Sequence, residues 1–194
     1  MTLSQYHQQY TNQTNEKIQK KADIKKQELI TIFNQISFNL KSRPIKLAVL
    51  GCGDKRFINH HKKIFKNILK KNIEVSTFDI TIDHLDGESN VFQHDCTLPL
   101  PNTPYDITYA HVLLKFIEPK KQFDLVKNSF DALKPGGIAI HVLDKEECEA
   151  TKEKLSNGLW AVSVNQLTKK LSKLKIEYKK ITIEYGLAIV LLQK

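Results

Sequence analysis

Apolar positions along this chain keep two rhythms, one of helices and one of strands, and the two alternate. Between residues 16 and 38, Ile24, Leu29, Ile32, Phe33 and Ile36 recur at helical spacing, while Lys17, Lys20, Lys21, Lys25 and Lys26 fall largely elsewhere. Pro44 interrupts this pattern, because it cannot donate to a helix and biases Arg43 away from helical angles. Ile45 to Leu50 is then a short apolar strand that runs into Gly51-Cys52-Gly53. Phe57, Ile64, Phe65, Ile68 and Leu69 stripe a second helix over 56–70, with Asn72 as its left-handed stop. Alternation over 73–80 predicts a strand, and shorter strands are expected at 91–95 and 105–110. Pro119 opens a helix whose end is marked by Lys134-Pro135-Gly136-Gly137, and Ile138 to Leu143 is a fifth strand. Ser163 and Gln166 have capping-box spacing for a last helix, followed by strands at 176–184 and 187–192 that turn near Gly186.

The resulting order is β-α-β-β-β-α-β-α-β-β. Apolar strands alternating with helices imply a mostly parallel, doubly wound sheet of seven strands with helices on both faces, closed by one antiparallel hairpin. A length of 194 residues suits one domain with a short appendage. We divide it into an amino-terminal helical arm over 1–43 and a main domain over 44–194. Residues 1–15 are polar and read as a frayed arm or a first helix.

Composition narrows the function classes. No stretch has the roughly 20 apolar residues of a membrane span, and Met1 to His7 lacks the cationic head and apolar run of a secretion signal. Cys52, Cys96 and Cys148 form no CxxC pair or disulfide framework, so free thiols and a cytoplasmic location are expected. The net charge is +9, yet residues 72–160 hold 15 of the 21 acidic side chains and only 8 of the 30 basic ones. Only Arg43 and Arg56 are arginine, so the basic flanks suit a solvated surface or weak, diffuse attraction to nucleic acid rather than base-specific reading. His60, His61, His84, His94 and Cys96 have no recognised metal-ligand spacing, so no metal is expected.

In such sheets ligands sit beyond the carboxyl ends of the strands. Four features fall there. Gly51-Cys52-Gly53 follows the first strand, where glycines permit a sharp turn and close approach to a ligand. Asp79 ends the second strand, 26 residues past Gly53, where a carboxylate can accept both hydroxyls of a ribose. Asp95 is expected at the end of the third strand, able to accept an adenine amino proton, with the Cys96 backbone against the ring. Ala110-His111 closes the fourth strand, and a histidine there could serve as general base or simply pack.

Leu47-Ala48-Val49-Leu50-Gly51-Cys52-Gly53, Phe78-Asp79-Ile80, His94-Asp95-Cys96 with the following Thr97 to Pro101, Tyr105 to Leu113, and Leu133-Lys134-Pro135-Gly136-Gly137 together resemble the class I S-adenosylmethionine-dependent methyltransferases, with their Rossmann-like sheet. The resemblance spans about residues 45–145. It implies S-adenosylmethionine as cofactor, with Gly51, Cys52 and Gly53 at its methionine end, Asp79 and Ile80 at the ribose, and Asp95 and Cys96 at the adenine. It also places Ala110 beside the transferring methyl and His111 as candidate base. For residues 1–43 the resemblance implies a lid over the cofactor mouth, with Tyr6 and Tyr10 over the ligand; ordinary packing or a frayed chain end is the favoured alternative. No Asn/Asp-Pro-Pro-Tyr/Phe tetrapeptide follows the fourth strand, and no cysteine lies at the end of strand four or five. The resemblance therefore implies an oxygen, nitrogen or sulfur nucleophile on a small or flexible molecule as the expected acceptor.

Three features depart from the family pattern. Val49 stands where an acid is common, Lys55 where a third small residue is common, and the 15 residues between Asp79 and Asp95 leave room only for a loop or single turn. Val49 and Lys55 keep open a competing reading, a catalytically inactive methyltransferase-like scaffold associated with RNA. A nicotinamide oxidoreductase is disfavoured, because Arg56 breaks GxGxxG and no second domain is evident.

Overall fold

A computed structural model describes residues 12–38, 40, 44–156 and 158–194. Tyr6, Tyr10 and Arg43 lie outside the described residues. In chain order the elements are α1 (Asn15–Gln35), β1 (Ile45–Leu50), α2 (Arg56–Leu69), β2 (Ile73–Asp79), β3 (Val91–Gln93) and β4 (Tyr105–His111). They continue with α3 (Pro119–Asp131), β5 (Leu133–Asp144), α4 (Lys145–Cys148), α5 (Val164–Lys173), β6 (Glu177–Ile183) and β7 (Gly186–Leu192). One seven-stranded sheet has the order β3-β2-β1-β4-β5-β7-β6. The pairs among β1 to β5 are parallel, and β7 is antiparallel to both β5 and β6.

Strand alternation divides the core into two layers. Leu47, Val49, Ile107, Tyr109, Ile138, Ile140 and Val190 pack with Leu29 and Ile32 of α1 and Ile64 and Phe65 of α2. Their neighbours Ala48, Leu50, Ala110, Ala139 and Leu191 face the other way, against Leu125 and Val126 of α3 and Leu167 and Leu171 of α5. Near the amino end of α1, Ile18 and Ala22 join Cys52, Phe57, Ile58 and Leu85 in a smaller cluster. The helical segment of the arm is thus part of the packed core, and Lys179 of β6 also donates to the Gln35 carbonyl at 3.2 Å.

Several boundaries differ from the expected ones, for local reasons. Helix α1 ends at Gln35 because Ile36 is extended, which turns its side chain into the core. Lys70, not Asn72, holds the left-handed cap of α2, with φ 54° and its N–H donating to the Lys66 carbonyl. Strand β3 stops at Gln93, so Asp95 lies in the following loop rather than at a strand end. The Leu-Lys-Pro-Gly-Gly segment belongs to β5 itself, where a register shift opposite Tyr105 and Ile107 absorbs its bend. Ser163 caps α5 by accepting from Gln166 N–H at 3.4 Å. The link after Asp79 contains a single 3-10 turn at Asp83–Leu85, as its length requires.

Gly186 sits opposite Asp144 at the start of β7. A Cβ there would lie 1.9 Å from the Leu143 carbonyl oxygen and 2.9 Å from the Asp144 Cα, backbone atoms that no rotamer change can move. Gly186→Ala should cost about 1–3 kcal/mol or more of stability. Urea denaturation measures this, and an unchanged midpoint would contradict the close approach.

Candidate functional site

Parallel register assembles the site. Leu50 of β1 is level with Phe78 of β2 and Ala110 of β4, so the next residues, Gly51, Asp79 and His111, emerge side by side at one sheet edge. Gly51 has φ +75° and its N–H donates to the Phe78 carbonyl at 2.8 Å. The positive φ is what favours glycine here; a Cβ would also meet a Leu113 methyl at 2.8 Å, a contact that a turn of that flexible side chain can relieve. Cys52 N–H donates to Asp79 Oδ2 at 2.7 Å. His84, on the 3-10 turn, donates from Nε2 to the Cys52 carbonyl at 2.6 Å. The glycine loop is therefore pinned by the neighbouring strand on one side and by the short linking turn on the other.

These residues border a cavity of about 520 Å³. Gly51, Cys52, Gly53, Asp79 and Ile80 form one end, and His111, Val112, Leu113, Lys115, Phe116, Val142, Leu143, Asp144 and Tyr185 form the other. Lys21, Ile24, Lys25 and Glu28 of α1, with Phe57 and His61 of α2, complete the wall. Asp95, Cys96 and Ala110 do not border it. The Asp95 carboxylate accepts from Thr97 N–H at 2.9 Å and from the Thr97 hydroxyl at 2.7 Å. Burial raises the Asp95 carboxyl, but those hydrogen bonds outweigh it and hold it below the ordinary range. Cys96 is buried, which pushes its thiol up to about 12. Ala110 points into the opposite core layer, as strand alternation demands for the neighbour of His111.

Lys55 and Arg56 leave the cavity clear. Lys55 is exposed. The Arg56 guanidinium turns onto Asp54, at 2.8 Å from Nε and 2.6 Å from Nη2, and donates to the Gln13 carbonyl and Asn15 Oδ1. Burial raises the Asp54 carboxyl, but the hydrogen bonds and charge of Arg56 more than offset this. Cys52 is buried and its thiol is pushed up to about 12, so it is no nucleophile at neutral pH.

The strongest electrostatic feature was not evident in the sequence. Glu28 of α1, 5% exposed, places Oε2 2.8 Å from His111 Nε2. Burial pushes the Glu28 carboxyl up to about 7, with Lys25 opposing the shift. Burial, and then the charge of Lys25, lowers His111 well below its ordinary value and keeps the ring neutral. The only hint in the sequence is positional: Lys21, Lys25 and Glu28 lie at helical spacing along the flank of the apolar stripe Ile18, Ala22, Leu29 and Ile32.

A second cluster braces the far end. Lys115 Nζ donates to Asp144 at 2.5 Å and to Glu146 at 3.3 Å. Fully buried Glu147 accepts from Lys115 N–H at 3.0 Å and from Asp144 N–H at 2.9 Å, and Asp144 in turn accepts from Glu147 N–H. Burial pushes the Glu147 carboxyl up to about 8 against these donors. Glu147→Gln would turn an amide N–H₂ toward one of the two backbone donors. It should destabilise the fold by about 1–3 kcal/mol, measured by urea denaturation, and neutrality would show that the two acceptor contacts are dispensable.

No protein-family model matches the sequence, and no curated protein matches it significantly. Solved structures do resemble the fold. An S-adenosylmethionine-dependent methyltransferase from Clostridium acetobutylicum superposes with a TM-score of 0.61 at 10% identity, covering 91% of this chain and 94% of that one. An O-methyltransferase family protein from Burkholderia thailandensis gives 0.59 at 9% identity over 91% of this chain, which spans 56% of that longer protein. A DhpI complex with SAM and HEP gives 0.58 at 15% identity over 97% and 92% of the two chains. At these identities the likeness establishes architecture: the chain has the fold of the class I S-adenosylmethionine-dependent methyltransferases.

Proposed function

We propose that this chain binds S-adenosylmethionine in the cleft at the ends of β1, β2 and β4 and transfers its methyl group to an oxygen, nitrogen or sulfur nucleophile on a small acceptor. The observation that carries this reading is the alignment of Gly51, Asp79 and His111 around one cavity of about 520 Å³, large enough for a nucleoside with its side chain. Gly51 and Gly53 present backbone without a Cβ to the ligand. Asp79 already accepts two backbone N–H groups, and a carboxylate has further lone pairs for ribose hydroxyls. The bound cofactor would supply an electrophilic methyl on a sulfonium cation. The protein's part is then to align the acceptor, exclude water and remove a proton.

His111 and Glu28 would handle that proton. At 2.8 Å they bind or release one proton as a unit: ionised Glu28 accepts from the imidazole N–H, or the protonated carboxyl donates to the ring. Burial pushes Glu28 up to about 7 and keeps the His111 ring neutral, the form that can take up a proton. Leu113, Phe116 and Tyr185 give the acceptor end an apolar and aromatic lining, which suits a small organic acceptor. Helix α1 contributes four wall residues and would act as a lid that is folded in place.

Calorimetry with S-adenosylhomocysteine tests the cofactor assignment. Asp79→Ala should weaken binding about tenfold or more, whereas His111→Ala should leave it within about twofold, since the imidazole belongs to the proton pair. Absence of any saturable binding to the wild-type chain would remove the methyl-transfer reading. The pair itself is tested without an acceptor. Carbon NMR of the carboxyl groups should show Glu28 titrating near 7, with the His111 ring neutral until well below 6.5. Because the folded-state value of Glu28 is raised, its favourable contribution is present below the ordinary 4.5 and is lost as pH rises through about 7. Titration of Glu28 near 4.5 would dissolve the pair.

A further inference from the structure

Residues 55–71 carry seven basic side chains and no acidic one. Helix α2 sorts them by face. Phe57, Ile58, His61, Ile64 and Phe65 are buried, while Lys62, Lys63 and Lys66 are exposed. Lys62 and Lys66 stand four apart on one row, about 6 Å along the axis, with Lys63 beside them. Exposed Lys55 and Lys70 mark the two ends of the helix. Among the described residues none of these five ammonium groups makes an ion pair or a hydrogen bond. Like charges at this spacing weaken a helix, and α2 carries them without a neutralising partner.

Lysines on the other side of the sheet have evident local roles. On α3, Lys120 pairs with Glu118 at 2.8 Å and Lys127 pairs with Asp131. On α5, Lys170 and Lys173 occupy the last turn, where a cation complements the helix dipole, and Lys170 lies over the Phe123 ring at 5.0 Å. On α2 only Lys66 is in the last turn. Lys55 is the N-cap residue, makes no side-chain capping bond and opposes the dipole, and the first turn holds no acid. The elements packed against α2 are α1 and β2. Their exposed acids are Glu16, Asp23 and Glu74, and Asp23 already accepts from Gln19 at 3.0 Å. Asp54 is taken up by Arg56. Stability of the helix therefore gives no reason for this row of cations.

We propose that the solvent face of α2, through Lys55, Lys62, Lys63 and Lys66, docks the phosphate backbone of duplex nucleic acid without reading its bases. A duplex offers one negative charge per about 1.7 Å of axis, so a helix laid along it meets phosphates at every lysine. Exposed Asn59 and Asn67 stand on the same helix as further donors to phosphate oxygens. Base reading leans on a free arginine fork, and the Arg56 fork is closed onto Asp54. The exposed large apolar side chains, Ile80, Leu98, Leu174 and Tyr185, all lie off α2. The face thus has neither the aromatic platform that grips single strands nor the apolar side chains that enter a membrane interface. None of these lysines borders the cavity, so the surface is separate from the cleft and does not depend on the methyl-transfer reading.

Fluorescence anisotropy on the full chain tests the surface, with a labelled DNA duplex of about 20 base pairs at low salt. One variant combines Lys62→Gln, Lys63→Gln and Lys66→Gln; glutamine keeps the helix propensity of lysine. A second combines Lys169→Gln, Lys170→Gln and Lys173→Gln on α5, which removes the same charge from the opposite face. A third replaces Lys62, Lys63 and Lys66 by arginine and keeps the charge. Each is first checked for an unchanged thermal midpoint. The α2 glutamine variant should weaken binding about tenfold or more and lower the slope of log affinity against log salt by about 2–3. The α5 variant should stay within about threefold of wild type, and the arginine variant should bind as wild type does. A second duplex of unrelated sequence should bind equally. Equal weakening by the two glutamine variants would reduce the effect to net charge and overturn the docking face, as would no binding by the wild-type chain at low salt. Binding to phosphatidylserine vesicles that the α2 variant abolishes, with the duplex unaffected, would assign the face to a membrane surface and overturn the proposal.

Discussion

The hydrogen bond from the Cys52 amide to the Asp79 carboxylate, 2.7 Å long and buried, joins the two strand ends on which the whole site is built. It can form only because β1 and β2 run parallel and in register, with Leu50 level with Phe78. Shifting either strand by one residue would reverse every side chain along it and send Asp79 into a core layer. His84 secures the same loop from below through the Cys52 carbonyl. Together these contacts preorganise the backbone, so a ligand would meet a bend already made rather than one it must impose.

Helix α1 adds the second constraint. Leu29 and Ile32 are buried against the sheet, and that packing fixes which way the flank of the same apolar stripe faces. Lys21, Lys25 and Glu28 consequently look into the cleft. Glu28 and His111 come from positions 83 residues apart, and burial brings both toward the neutral form. The fold thus buries a carboxyl and an imidazole against each other at the cavity wall, from positions that no local motif links.

The three departures from the family pattern take on physical meaning in this arrangement. Val49 is a core residue of the α1 and α2 layer, where an apolar side chain suits its surroundings. Lys55 is exposed, and Arg56 is held by Asp54 and the start of α1, so neither cation fills the cavity. The short link after Asp79 supplies His84, which supports the loop from a single turn in place of a helix. Ile80 is 58% exposed beside it, so the cavity is open on that side. Of the two cations that flank the glycine loop, neither Lys55 nor Arg56 borders the cavity.

The order of elements, the seven strands, the antiparallel closing hairpin and the glycine loop were all legible in the sequence, because each depends on local periodicity and on residues with special backbone freedom. Gly51, Asp79 and His111 were legible as well, since each directly follows an apolar strand. Other features were settled only in three dimensions. Asp95 is engaged by Thr97 because β3 ends two residues early, and Ala110 turns away because strand neighbours face opposite sides. Glu28, Lys25 and Glu147 carry no motif. Their importance comes from loss of water and from partners distant in the chain, and neither can be read from spacing along it. Sequence sets which face of an element is apolar; only packing decides which polar group is trapped beside that face, and what it meets there.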